Sequence, residues 1–121
     1  MAAILVVEDD VLVRQIAEMM IDDWGHSILS ASDVDEALVV LRSDTEIHAL
    51  FTDVYLKTAI HGGFDLAQQA VSLRPNLRVL YTTGHAISEH MRTLFVDGAK
   101  CLPKPYTEQD LKLAVELLVA N

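Results

Sequence analysis

The chain has 121 residues, of which 51% are hydrophobic, enough for one domain with a sizeable core. Its formal net charge of -9 argues against a nucleic-acid backbone or an anionic membrane surface as a direct partner. The apolar runs are too short to cross a bilayer, and the single cysteine excludes an internal disulfide. With no charged-then-apolar secretory leader, these features predict one domain over residues 1–121, located in the cytoplasm.

Short β-branched segments alternate along the chain with longer segments of helical period. This alternation is typical of a parallel sheet covered by helices on both faces. The sequence therefore predicts an α/β fold with five strands. They are Ala3 to Val7, His26 to Ser30, Ile47 to Thr52, Leu77 to Thr83, and Ala99 to Leu102.

The first two predicted helices have clear boundary signals. Trp24-Gly25 ends the first helix, and the second opens at SDVDEALVVL, where Ser32 or Asp33 can cap it. The first helix should bury one apolar face, because its apolar residues recur at helical spacing. The residues of that face are Val13, Ile16, Ala17, Met20 and Ile21.

Three more helices follow. The third is predicted from about Phe64 to Leu73, stopping before Pro75, and the fourth from about Ala86 to Val96. The last should run from Glu108 to Val119, because Thr107 and Asp110 have the spacing of a capping box.

Polar residues follow the apolar strands at the points where the strands end. In an open parallel sheet the ligand crevice lies outside these carboxyl ends, so the residues should converge. They are Glu8, Asp9 and Asp10 after the first strand, Asp53 after the third, Thr82 and Thr83 at the end of the fourth, and Lys104 after the fifth. Clustered carboxylates repel one another unless a cation joins them, and such oxygen ligands suit Mg²⁺. A cation beside a hydroxyl and an ammonium can hold a phosphoryl group.

Four motifs together, VVEDD, FTDV, YTTGH and KPY, resemble the receiver domain of two-component response regulators in their order and spacing. The resemblance covers the whole chain. It implies the doubly wound fold of the chemotaxis regulators, with five helices and a five-stranded parallel sheet in the order 2-1-3-4-5.

The resemblance also implies how the site works. Asp53 corresponds to the phosphoacceptor, which attacks the phosphorus of a phosphohistidine on a partner protein. Thr83 and Lys104 correspond to the groups that contact the phosphoryl oxygens, and Lys104-Pro105 to a bond that the family holds cis. The implied Mg²⁺ ligands are Asp9 and Asp53 directly, Glu8 through water, and the backbone carbonyl of Tyr55. The domain would not be an enzyme beyond losing its own phosphoryl group.

The implied donor is a sensor histidine kinase or a histidine phosphotransfer protein. Phosphorylation would repack the face formed by the fourth helix, the fifth strand and the fifth helix, which binds a downstream protein target. A homodimer through that face is left open. Leu12 and Met19, with Gln15 between them, form either an exposed stripe that docks the kinase or the fringe of the core.

Several residues depart from the pattern of the family. Lys57 stands where a proline is usual, in a loop about one residue longer, and Cys101 replaces the usual aromatic switch residue. Cys101 is interpreted as a small buried hydrophobe. Tyr55 and His85 occupy positions that in the family line the path of the hydrolytic water, so a bulky Tyr55 would slow loss of the phosphoryl group.

Three other functions compete with a single-domain phosphoacceptor. One is a pseudo-receiver that binds partners without phosphorylation, and another is a receiver cut from a hybrid histidine kinase. The third is an aspartate-nucleophile phosphatase. That enzyme needs a second acid two residues after the nucleophile, and Tyr55 occupies this position. No GxxxxGK or GxGxxG motif supports nucleotide binding.

Overall fold

The computed structural model describes residues 2–57 and 61–120. Five parallel strands form one sheet in the order β2-β1-β3-β4-β5, which confirms the expected topology. The strands are β1 (Ala3–Val7), β2 (Ser27–Ala31), β3 (Ala49–Asp53), β4 (Arg78–Thr83) and β5 (Lys100–Pro103). Each bound lies within two residues of its prediction.

The helices are α1 (Val11–Asp23), α2 (Val34–Leu41), α3 (Gly62–Leu73), α4 (Glu89–Arg92) and α5 (Glu108–Val119). The side chain of Asp33 caps α2 by accepting the Glu36 N–H, and the Thr107–Asp110 capping box opens α5 as predicted. Among the described residues, no helix combines the length and the apolar character needed to cross a membrane.

The sheet separates two apolar layers. On one face, Ala17 and Ile21 of α1 pack with Leu111 and Val115 of α5. On the other face, α2, α3 and Met91 of α4 pack against the sheet. Because both faces are covered, every residue of β3 is buried, and its carboxyl end is fixed in position.

The prediction for Ile16 was wrong. Ile16 is 56% exposed, because Ala17 and Ile21 face the sheet and each helical residue is rotated about 100° from its neighbour. Leu12 and Met19 are 69% and 66% exposed, which confirms the exposed stripe rather than the fringe of the core. Leu12, Ile16 and Met19 lie at helical spacing, so they form one apolar surface on α1.

The prediction of a fourth helix from Ala86 to Val96 was also wrong, because α4 is a single turn. Ser88 is its N-cap and accepts the Met91 N–H, so the helix begins later than predicted. At its other end, the Thr93 hydroxyl donates to the His90 carbonyl at 2.6 Å, a local bond that competes with helix formation. The Val96 N–H donates to the Tyr81 hydroxyl at 3.2 Å instead of to a helical carbonyl.

Candidate functional site

Three carboxylates meet at the carboxyl edge of the sheet. β1 and β3 pair in parallel with Val7 opposite Thr52, so Glu8 and Asp53 leave the sheet side by side. They are 4% and 6% exposed. One oxygen from each of Glu8, Asp9 and Asp53 lies within 4.8 Å of the others. The structure therefore brings together the three acids predicted as metal ligands.

Lys104 joins two of these acids. Its Nζ lies 2.5 Å from Glu8 Oε1 and 2.8 Å from Asp53 Oδ2. Burial opposes the charge on Lys104, but the hydrogen bonds to Asp53 and Glu8 outweigh it and raise the pKa of the ammonium above its usual range. The Lys104 N–H donates to the Thr83 carbonyl at 2.8 Å, and the Lys104-Pro105 bond is cis, as expected.

Glu8 has a charge that burial makes costly. Burial raises the pKa of the Glu8 carboxyl, although the hydrogen bond from Lys104 opposes this effect. Its carboxylate also accepts the Asp10 N–H at 3.1 Å, and its carbonyl accepts a bond from Arg14 Nη1 at 2.9 Å. Three acids share one ammonium here, so the cluster is short of positive charge and fits a hard cation.

Asp9 and Asp10 have separate roles although they are neighbours. Asp9 Oδ2 accepts the backbone N–H of Lys57 at 2.7 Å, which ties the first loop to the loop after β3. The side chain of Asp10 instead caps α1 by accepting the Val13 N–H at 3.1 Å. The Lys57 side chain is exposed, and residues 58–60 of the longer loop lie outside the described residues.

Asp53 is held from several directions. The Tyr55 N–H donates to Asp53 Oδ1 at 3.1 Å, beside the bond from Lys104 to the other carboxylate oxygen. At Gly63 of α3, a Cβ would lie 2.1 Å from the Asp53 carbonyl oxygen. This close approach was not predicted, although the Gly62-Gly63 pair at the start of α3 is a sequence signal of it.

Thr83 lies at the end of β4 and is 1% exposed. Its Oγ1 accepts the His85 N–H at 3.1 Å, which leaves its own O–H proton as a donor. The hydroxyl of Thr82 donates to the Leu102 carbonyl at 2.7 Å, so it is part of the sheet. Of the two threonines, Thr83 is the one able to donate to a ligand in the crevice.

Aromatic rings from the segments that follow β3 and β4 lie close to one another. The rings of Tyr55 and His85 lie 4.4 Å apart between centroids, and the Tyr55 and His61 rings lie 5.9 Å apart. His85 is exposed and precedes α4 without belonging to it. Tyr55 and His85 were predicted to lie near the site, but their contact with each other was not predicted.

Cys101 is half-buried in β5, opposite Tyr81 of β4. Burial raises the pKa of its thiol, with a smaller opposing effect from Arg92. A thiol that stays protonated is a poor nucleophile, so Cys101 acts here as a small apolar side chain.

The strand order and the acidic cluster at its carboxyl edge define a receiver-type α/β domain. The family model for the response regulator receiver domain matches residues 4–116, so the chain belongs to this family of two-component signalling domains. Receiver domains in general accept phosphoryl groups rather than act as enzymes, and they interact with histidine kinases and downstream targets.

Individual relatives agree with this membership. Response regulator MprA of Mycobacterium avium (strain 104) is 31% identical over 117 residues, 96% of this chain and 50% of MprA. The chain thus spans about half the length of the curated relatives it matches. The crystal structure of a response regulator receiver protein from Sinorhizobium medicae WSM419 has a TM-score of 0.87 at 26% identity, covering 97% of this chain and 93% of that chain. The receiver domain of the hybrid histidine kinase CckA has a TM-score of 0.79 at 28% identity, covering 98% of this chain and 99% of that domain.

Proposed function

We propose that residues 1–121 form one receiver domain that acts as a phosphoacceptor switch, with Asp53 as the acceptor. One observation carries the proposal. The Asp53 carboxylate is buried at the end of β3, 2.8 Å from the Lys104 ammonium and beside two further carboxylates. A carboxylate in this setting is oriented by fixed donors and can act as a nucleophile.

In the proposed reaction, an Asp53 carboxylate oxygen attacks the phosphorus of a phosphohistidine on a histidine kinase or a histidine phosphotransfer protein. The new P–O bond forms as the P–N bond breaks, and the imidazole nitrogen leaves with the electron pair. Phosphoryl transfer depends mostly on positioning and on neutralising charge. Lys104 and the Thr83 O–H would supply positive charge and a hydrogen bond to the phosphoryl oxygens.

The cluster fits Mg²⁺ because it offers hard carboxylate oxygens and lacks positive charge. Asp9 and Asp53 would hold the ion, helped by Glu8 through water and by the Tyr55 carbonyl. When bound, the ion neutralises negative charge on the acceptor and on the incoming phosphoryl group. Loss of the phosphoryl group by hydrolysis would be the only turnover of the domain.

Two surfaces are proposed for partners in the cytoplasm. The stripe of Leu12, Ile16 and Met19 on α1 would dock the histidine-bearing helix of the donor, since it is exposed and apolar. A groove of about 760 Å³ between β5 and α5, flanked by the exposed Leu113 and Leu117, would receive the downstream protein target or a second copy of the domain.

The domain would work either as a single-domain regulator or as part of a longer protein. The similarity to the CckA receiver domain supports the second arrangement, within a hybrid histidine kinase. A pseudo-receiver has less support, because the acids, the threonine and the lysine are all in place.

The test is intact-mass spectrometry after incubation with acetyl phosphate, with and without Mg²⁺. The wild-type protein should gain one phosphoryl group only with Mg²⁺, and Asp53→Asn should gain none. Asp44→Asn removes an exposed acid in the loop after α2 and should label like the wild type. Labelling of Asp53→Asn would show that Asp53 is not the acceptor. If the wild type is not labelled and does not bind beryllofluoride, a pseudo-receiver would be favoured.

A further inference from the structure

The single turn of α4 depends on one buried side chain. Met91 is 8% exposed, whereas Glu89, His90 and Arg92 are exposed. A helix of one turn is not stable through its own hydrogen bonds, so its position depends on how Met91 is anchored. The Met91 sulfur lies 3.9 Å from the Tyr55 hydroxyl. Tyr55 therefore forms part of the anchoring site of α4.

Tyr55 also contacts both loops that carry the proposed chemistry. Its N–H donates to Asp53 Oδ1 at 3.1 Å, at the acceptor itself. Its ring lies 4.4 Å from that of His85, whose N–H donates to the Thr83 hydroxyl at 3.1 Å. One residue thus contacts the acceptor, the loop after β4, and α4.

The side chain of Tyr81 in β4, which reaches the end of the connection from β4 to β5, is fixed in position. Tyr81 is fully buried, its ring lies 5.1 Å from Phe64 and 4.8 Å from Phe95, and its hydroxyl accepts the Val96 N–H. The neighbouring position on β5 is Cys101, whose small side chain cannot swing between two surfaces. Tyr81 therefore contacts the connection at Val96, whereas Tyr55 contacts α4 at Met91.

We propose that Tyr55 is a positioning residue that couples the state of Asp53 to the position of α4. A change in charge at Asp53 alters the acceptor of the Tyr55 N–H. The ring of Tyr55 then shifts against His85, and the anchor of Met91 changes with it. The coupling rests on the proposed function, whereas the Tyr55–Met91 anchor does not.

The test is hydrogen exchange of the backbone amides of residues 87–96, measured by NMR in the metal-free protein and with Mg²⁺ and beryllofluoride. In the metal-free state, Tyr55→Ala should speed exchange at Met91 by about tenfold. Tyr55→Phe keeps the ring but removes the hydroxyl that contacts the Met91 sulfur, so it should also speed exchange, by a smaller factor. Met91→Ala should speed exchange at least as much as Tyr55→Ala, because it also removes the packing of Met91 against the sheet. The double variant should exchange no faster than Met91→Ala, because both substitutions remove the contact between Tyr55 and Met91. Additive effects would refute the anchor.

The response to Mg²⁺ and beryllofluoride shows whether Tyr55 couples Asp53 to α4 or only holds α4 in place. In the wild type, beryllofluoride should change exchange both at Thr83 to His85 and across α4. In Tyr55→Ala the first change should remain and the second should be lost. An α4 response that survives in Tyr55→Ala would overturn the coupling. If the wild type shows no response anywhere, both the proposed function and the coupling are rejected. The comparison of the metal-free variants would still show whether Tyr55 anchors α4.

Discussion

The acceptor region and the connection from β4 to β5 lie at the same edge of the sheet but are held in different ways. Asp53 is fixed by a buried strand, by hydrogen bonds from the Tyr55 N–H and the Lys104 ammonium to its two carboxylate oxygens, and by close backbone approach of Gly63. The connection, residues 84–99, contains one helical turn with a single buried residue. The acceptor region is therefore rigid, as the alignment of charges requires, whereas the connection is weakly anchored and its surface can change.

The largest expected effect tests the rigid side of this comparison. Gly63→Ala would place a Cβ 2.1 Å from the Asp53 carbonyl oxygen and 2.7 Å from Val54 Cα, so the backbone must move. The free energy of unfolding, measured with urea, should fall by about 3 kcal/mol or more. Gly84→Ala is the matched control in the connection, because a Cβ there has no heavy atom within 4 Å. Its free energy of unfolding should stay the same or rise by less than about 1 kcal/mol.

The second prediction concerns two adjacent acids with different roles. Asp9→Ala should raise the Mg²⁺ dissociation constant by about tenfold or more, because it removes a carboxylate from the cluster. Asp10→Asn removes one negative charge nearby but keeps an N-cap for α1, so the constant should change by less than about threefold. Calorimetric titration at constant ionic strength measures both, and equal effects of the two variants would show that the site responds to net charge alone.

The third prediction compares two helix caps. Thr107→Ala removes the capping box of the twelve-residue α5 and should lower the free energy of unfolding by about 1 kcal/mol. Ser88→Ala removes the cap of the single-turn α4 and should change it by less than about 0.5 kcal/mol, because this segment can open without unfolding the sheet. Equal losses in urea unfolding would mean that α4 is as firmly integrated as α5.

The sequence predicts the strand ends and α5 well because those signals are local. Alternating apolar segments locate Glu8 and Asp53, and the Thr107 capping box locates the start of α5. The length of α4 depends instead on the distant Tyr81 hydroxyl, which accepts the Val96 N–H. Periodicity likewise does not fix the orientation of α1 about its axis, so it cannot show that Ala17 faces the sheet while Ile16 is exposed. The contacts of Tyr55 with His85 and Met91 cannot be predicted from local patterns either, because they join segments far apart in the chain. The chemical roles of the site residues remain predictions.

The smallest expected effect lies at the opposite end of the sheet, far from both regions. His26 Nδ1 accepts the Ala2 N–H at 3.1 Å, and protonation would remove this acceptor. Burial lowers the pKa of His26, and the nearby amino terminus adds to this effect. The unfolded chain therefore binds the proton more tightly, so stability should be full above about pH 6.5 and should fall as the pH drops through that value.

The urea midpoint measures this effect at about pH 7.5 and about pH 5.5. The wild-type midpoint should be lower at the lower pH, and the difference should be smaller for His26→Asn. Glu8 titrates in the opposite sense, because its raised pKa makes protonation stabilising as the pH falls, but it contributes equally to both proteins. His90→Asn changes an exposed histidine of α4 and should keep the wild-type pH dependence. If His26→Asn and His90→Asn behave alike, the bond from Ala2 to His26 contributes nothing measurable to the pH dependence of stability.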